Sequence, residues 1–230
     1  ASSLVFAADE KPWANESNLG VVVANGNTSS ETYLLKQATS YKYEHLTTKL
    51  NGSYLENSAR DEKTGITSSY EQWLVTLRFE YAFTDLFSAF IGQSAESDKQ
   101  SGIYRRYNTD LGGKYYFTKS DAFYVFSELG YRYTKENYST GIASAHFNFL
   151  RLYAETEKKW TPTFSSKLWL EYLPNLDEGQ NYHVNGEASV AAAINDIFSL
   201  KTAYLAKYWN TPIAQHKTDT LFSTSLIAKF

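Results

Sequence analysis

Apolar and polar side chains alternate one for one over most of this chain. The clearest run places Trp73, Val75, Leu77, Phe79 and Tyr81 on one face and Gln72, Thr76, Arg78 and Glu80 on the other. Helical spacing would put Arg78 beside Val75 or Leu74, so the two-residue period predicts a strand with unlike faces. The final run alternates in the same way, with Phe222, Leu226, Ala228 and Phe230 in one phase and Ser223, Ser225 and Lys229 in the other.

Taken in order, alternating segments are expected at residues 13–25, 31–43, 46–54, 72–81, 87–94, 106–117, 123–133, 142–157, 166–172, 182–192, 198–208 and 218–230. Phe147 and Phe149 compete with Leu150, Leu152 and Ala154 for the outer face, which predicts a bulge near Phe149. Tight connections at 44–45, 84–85, 119–121, 160–164 and 195–196 alternate with polar stretches at 56–68, 94–102, 135–141, 174–180 and 210–218. The result is about twelve strands of roughly ten residues, joined alternately by short turns and longer loops.

This is the pattern of an all-β chain folded as a single antiparallel transmembrane β-barrel, with short periplasmic turns and longer extracellular loops. A soluble sandwich is the competing arrangement, but its edge strands need protection that these strands lack, and closure removes every edge. The barrel is expected over residues 13–230. Residues 1–12 read as a leader, because Leu4, Val5 and Phe6 followed by Ala7 and Ala8 resemble the end of a signal peptide.

Composition narrows the setting. Tyr 19, Phe 14 and Trp 5 make the chain aromatic-rich. Tyr41, Tyr43, Tyr81, Tyr115, Phe117, Phe123, Trp160 and Phe230 lie beside short turns, and Tyr54, Tyr131, Tyr133, Tyr172 and Tyr208 beside long loops. Two such girdles bracketing Leu, Val, Ala and Thr suit rings that meet lipid headgroups at both interfaces. No window approaches the ~18 apolar residues of a membrane-spanning helix, which leaves a membrane barrel open. Cys 0 removes thiol chemistry, and a net charge of −3 offers no field for nucleic acid.

The stretch LGVVVANGNTSSETYLLKQATSYKYEH, with its glycine-led apolar strand, Gly26-Asn27-Thr28 turn and returning strand, resembles the opening hairpin of a bacterial family of salt-induced outer-membrane proteins, a domain of unknown function. The resemblance extends over residues 13–230 through the strand rhythm and implies an outer-membrane barrel without an assigned activity. The closing strand also resembles that of Gram-negative outer-membrane barrels. There Phe222, Leu226, Ala228 and above all Phe230 would form the signal read by the barrel-assembly machinery.

Charges on a lipid-facing surface cost ~2–4 kcal/mol each near the midplane, so the charged phase must point inward. That phase holds Lys36, Lys49, Arg78, Glu80, Arg106, Asp110, Lys114, Glu128, Arg132, Lys167, Glu171, Glu187, Lys201, Lys207 and Lys229, with His183 beside them. Basic residues outnumber acidic ones in this set, which points to a lumen tolerant of anions. The expected function is a small passive channel for small hydrophilic solutes. The alternative is a non-conducting structural or adhesive barrel with a filled interior. A barrel hydrolase could be built only from His183 with Asn185 and Glu187, or from His146 with Asn148 and Ser144, and neither set supplies an oxyanion donor. No cofactor or metal motif occurs. The partners expected are outer-membrane lipid, the assembly machinery and small solutes, with no nucleic acid.

Overall fold

A computed structural model describes residues 12–24, 28–61, 64, 66–99, 101–138, 143–212 and 216–230. They form twelve strands: β1 Trp13–Ala24, β2 Thr28–Tyr43, β3 Leu46–Asp61, β4 Thr67–Ala82, β5 Phe87–Asp98, β6 Ile103–Lys119, β7 Phe123–Tyr138, β8 Ala145–Thr161, β9 Phe164–Pro174, β10 Tyr182–Ala193, β11 Phe198–Trp209 and β12 Thr218–Lys229. Each pairs antiparallel with its neighbours in sequence, and β1 pairs with β12, so the sheet is a closed barrel. The closing seam runs from Glu16↔Lys229 to Leu19↔Leu226. It is extended by reciprocal backbone bonds between Asn15 and Phe230, at 3.0 and 3.1 Å. Residues 1–11 of the stretch expected as a leader, and the first turn at residues 25–27, lie outside the described residues.

Three expectations change. The strands are longer than anticipated, up to 17 residues in β6 and β8. Much of the polar stretch at 56–68 is strand, and β5 and β7 continue into the polar runs at 94–102 and 135–141. Ladder bonding persists there although the apolar alternation has faded, because a strand wetted on both faces needs no apolar one. The two ends of the barrel therefore differ less in connection length than the sequence suggests. Finally, the bulge near Phe149 is absent. β7 and β8 stay in register without a break from Phe123↔Lys158 to Glu136↔Ala145. Phe149 is instead an inward-facing aromatic, 2% exposed, while Leu152 points out. The irregularities fall elsewhere, at Glu96/Asp98, Ile103/Arg105, Tyr116/Thr118 and Lys159/Thr161.

The molecule is apolar outside and polar within. Leu19, Leu50, Leu77, Ile91, Leu111, Leu129, Leu168 and Leu200 are exposed on the outer face, as are Tyr43, Tyr81, Phe117 and Trp160 at the short-turn end. An apolar cluster of buried side chains, Tyr124, Phe126 and Tyr153 with Tyr116 and Trp169 against it, sits inside the barrel on β6–β9.

Candidate functional site: the barrel interior

The inner face of β3–β9 is a continuous ion network. Arg78 Nη1 and Nη2 donate to Glu128 Oε2 and Oε1 at 3.1 and 2.6 Å, and Arg151 Nη1 donates to the same Oε2 at 2.6 Å. Arg151 Nε also donates to Glu171 at 2.7 Å. Arg132 holds Asp110 through two bonds of 2.6 and 2.8 Å and lies 3.3 Å from Glu171. Glu80 collects Lys49 at 3.2 Å, Arg78 at 3.2 Å, Lys114 at 3.3 Å and the Ser88 hydroxyl at 3.1 Å. Nearer the long-loop end, Arg106 joins Glu96 and Glu136 at 2.6 and 2.5 Å.

Two features let these groups fit. Gly112 and Gly130 face each other across β6 and β7. A Cβ on Gly112 would stand 2.5 Å from the Leu129 carbonyl oxygen and 2.8 Å from the Phe90 ring, so glycine there lets the strands close up and seats the ring. Arg78 then lies over Phe90, 3.7 Å from its centroid, on its way across β5 and β6 to Glu128 on β7. Beneath it, Lys114 stands 4.1 Å from the centre of Phe126. Glu155 is sealed in by Tyr124 at 2.7 Å, Tyr153 at 2.5 Å and Lys167 at 2.9 Å. Burying charge at this density is tolerable only because nearly every donor and acceptor has a partner.

The opposite wall, on β10–β12 and β1–β2, is sparser. Lys201 donates to Glu187 at 2.9 Å, and Lys36 reaches the same carboxylate at 3.7 Å from the other side of β11, β12 and β1. Lys207 forms neither a hydrogen bond nor an ion pair with the described residues. Toward the long loops, His183 packs between Phe149 and Trp209, with ring centres at 5.2 and 4.7 Å, and its Nε2 has no partner. The Arg106 guanidinium lies 5.6 Å from the Trp209 ring.

Between the walls runs a cavity of about 420 Å³. Lys36, Lys49, Arg78, Arg106, Asp110, Lys114, Glu128, Arg132, Lys167, Glu171, His183, Glu187, Lys201 and Lys207 all border it, and Glu80 lies beneath that surface. Lys229 stands near the short-turn rim, 3.7 Å from Glu16. The sequence reading missed Arg151, Glu16, Glu96, Asp98, Glu136, Glu155 and Asp219, which also face inward. With them the inward set holds eleven basic and eleven acidic residues, so the excess of basic residues disappears over the lumen as a whole. The alternation of Leu150, Leu152 and Ala154 already placed Arg151 and Glu155 inside, but Phe147 and Phe149 obscured the phase.

The histidine sets do not assemble a catalytic centre among the described residues. Asn185 is bonded to Glu171 at 3.0 Å and Glu187 to lysines, leaving His183 without an acid or a hydroxyl partner. His146 and Asn148 face outward, where His146 Nδ1 meets the Tyr133 hydroxyl at 2.7 Å and Asn148 pairs with Tyr131 and Asp177.

The fold is similar to that of an outer-membrane channel from Pseudomonas putida F1, at 11% identity over 95% of this chain and 94% of that one, with a TM-score of 0.56. It is also similar to NanC porin, at 8% identity over 94% and 97% of the two chains, with a TM-score of 0.52. At these identities the likeness is one of fold. No curated protein matches the sequence. One family pattern does match, over residues 17–230, and the chain therefore belongs to the family described as protein of unknown function, DUF481.

Proposed function

We propose that the protein is an outer-membrane barrel acting as a small passive channel for small hydrophilic solutes. The observation that carries this reading is the reach of the cavity. Its lining extends from Glu16, Lys167 and Lys201, near the short turns, to Asp98, Ser101, Lys217 and Asp219, near the long loops. A polar lumen inside an apolar exterior fits outer-membrane lipid, and the short turns then face the periplasm. β12, with Phe222, Leu226, Ala228 and Phe230 outward, is the strand offered to the barrel-assembly machinery, and outer-membrane localisation follows from it. Induction by salt is implied only by the resemblance of the opening hairpin. The role is transport rather than catalysis, and nucleic acid is not a partner.

A second reading rests on a specific observation as well. Arg78–Glu128 and Lys36–Glu187 each reach past two or three intervening strands, Lys114–Glu80 and Arg132–Glu171 each skip one, and Ser101 bonds Asp219 near the long loops, so side chains cross parts of the lumen at several levels. If these bridges seal it, the barrel is a structural or adhesive one. Recording purified, refolded protein in planar bilayers separates the two. The channel reading expects discrete, small conductance steps. Protein that is folded by gel mobility yet gives no current above the bare bilayer would establish the filled barrel.

A further inference from the structure

We infer that the wall built from β10–β12 and β1–β2 carries a subsite for small oxyanions, carboxylate or phosphate, at Lys36 and Lys207. The inference rests on the channel reading and names the class of solute that the channel favours.

The starting point is what the paired network removes. Arg78, Arg106, Lys114 and Arg132 each lie within 3.3 Å of a carboxylate and have little charge left to offer a solute. Anion preference cannot come from them, although they are the most conspicuous cations in the lumen. The lysines of the other wall differ. Lys36 is the most exposed of the inner-wall cations in ion pairs away from the rim, with 31% of its side chain open against 2–17% for the others. Its single carboxylate contact, at 3.7 Å, is to a group that Lys201 holds more tightly, at 2.9 Å. Lys207 has no such contact among the described residues. Lys36 also feels the like charges of Lys201 and Lys207, so the three share one region of the wall with Glu187 as their near counter-charge.

The acidic surroundings do not cancel this excess. Asp219 is the cross-strand neighbour of Lys207 but is turned toward the Ser101 hydroxyl at 3.4 Å. Glu96 senses Lys207 yet is already bonded to Arg106. Asn185, the other register neighbour of Lys207, donates to Glu171. Beside Lys36 in register stands Asn18, which is buried and brings no negative charge to the wall. At the mouth of the same cavity, Lys217 extends the positive side toward the long loops. An ammonium held this loosely keeps its field and can exchange partners, which is what a site that binds and then releases an ion needs.

The test is the zero-current potential of refolded protein in planar bilayers under a KCl gradient. The wild type is expected to prefer chloride to potassium by about threefold or more at ~0.1 M salt and to lose the preference at ~1 M as the Debye length contracts. Lys36→Gln and Lys207→Gln should each reduce the ratio by about twofold and the double variant should abolish it, while Lys207→Arg keeps it. Inorganic phosphate added on the long-loop side should lower the chloride current of the wild type and leave that of the double variant unchanged. A conducting barrel without anion preference, or one whose preference survives in the double variant, overturns the subsite and leaves the channel standing. Absence of any conductance overturns both.

Discussion

The two halves of the inner wall handle enclosed charge in opposite ways. On β3–β9, guanidinium and ammonium groups are locked to carboxylates at 2.5–3.3 Å and lie against Phe90, Phe126 and Tyr153. On β10–β12 and β1–β2, Glu187 is shared by two lysines, and Lys207 is left without an ion pair among the described residues. The first arrangement ties the strands together and is electrically quiet. The second holds little and keeps a field. The difference teaches that a charged lumen residue read from alternation alone has no fixed role, because its partners decide whether it acts as structure or as selectivity.

The comparison breaks most readily at Glu128. Its side chain is 3% exposed and serves both Arg78 and Arg151. Glu128→Ala takes one carboxylate from each of two buried cations, leaving Arg78 with Glu80 and Arg151 with Glu171, and is expected to cost about 3 kcal/mol, measured by urea titration of the refolded barrel in detergent. A loss below ~1 kcal/mol would show that this wall is not held by its pairs. One position along, Leu129 faces the other way and is 59% exposed. Leu129→Arg should cost ~2–4 kcal/mol in a bilayer, and an unchanged stability there would contradict a lipid-facing exterior. Gly112→Ala pushes a methyl against the Leu129 carbonyl and the Phe90 ring. It is expected to cost about 1–3 kcal/mol, and a neutral result would mean that the glycine pair does not set the packing of the network. Lys201→Gln, on the sparse wall, removes one bond and leaves Glu187 with Lys36, and should cost clearly less than Glu128→Ala, about 1 kcal/mol, in the same titration. A loss as large as that of Glu128→Ala would erase the distinction between the walls.

Much of the fold was legible because a lipid-facing strand must alternate. The run from Trp73 to Tyr81 could be nothing but a strand, and the rhythm of turns yielded twelve strands and a closed barrel. Legibility ended where that constraint ends. Glu96 and Glu136 lie on strand continuations that read as loops, because polar side chains on both faces hide the ladder. Phe149 and Tyr153 point inward, against the rule that places aromatics outside. That exception exists because Phe149 packs on His183 and Tyr153 on Trp169, giving the interior a partial apolar lining. The site was legible as a list of inward residues and not as a network. Arg78 reaches Glu128 across two intervening strands, and no period in the sequence encodes a contact of that kind.

The central claim is that solutes pass along the lysine wall, and introducing a single reactive thiol tests it most directly. The natural chain has Cys 0, so Lys207→Cys would carry the sole thiol. Single-channel current is recorded while a small, negatively charged, membrane-impermeant thiol reagent is added, and attachment is confirmed afterwards by mass spectrometry. The account predicts a step down in current as the reagent attaches, because the group is placed beside the ion path. A fully modified protein whose current does not change would contradict it.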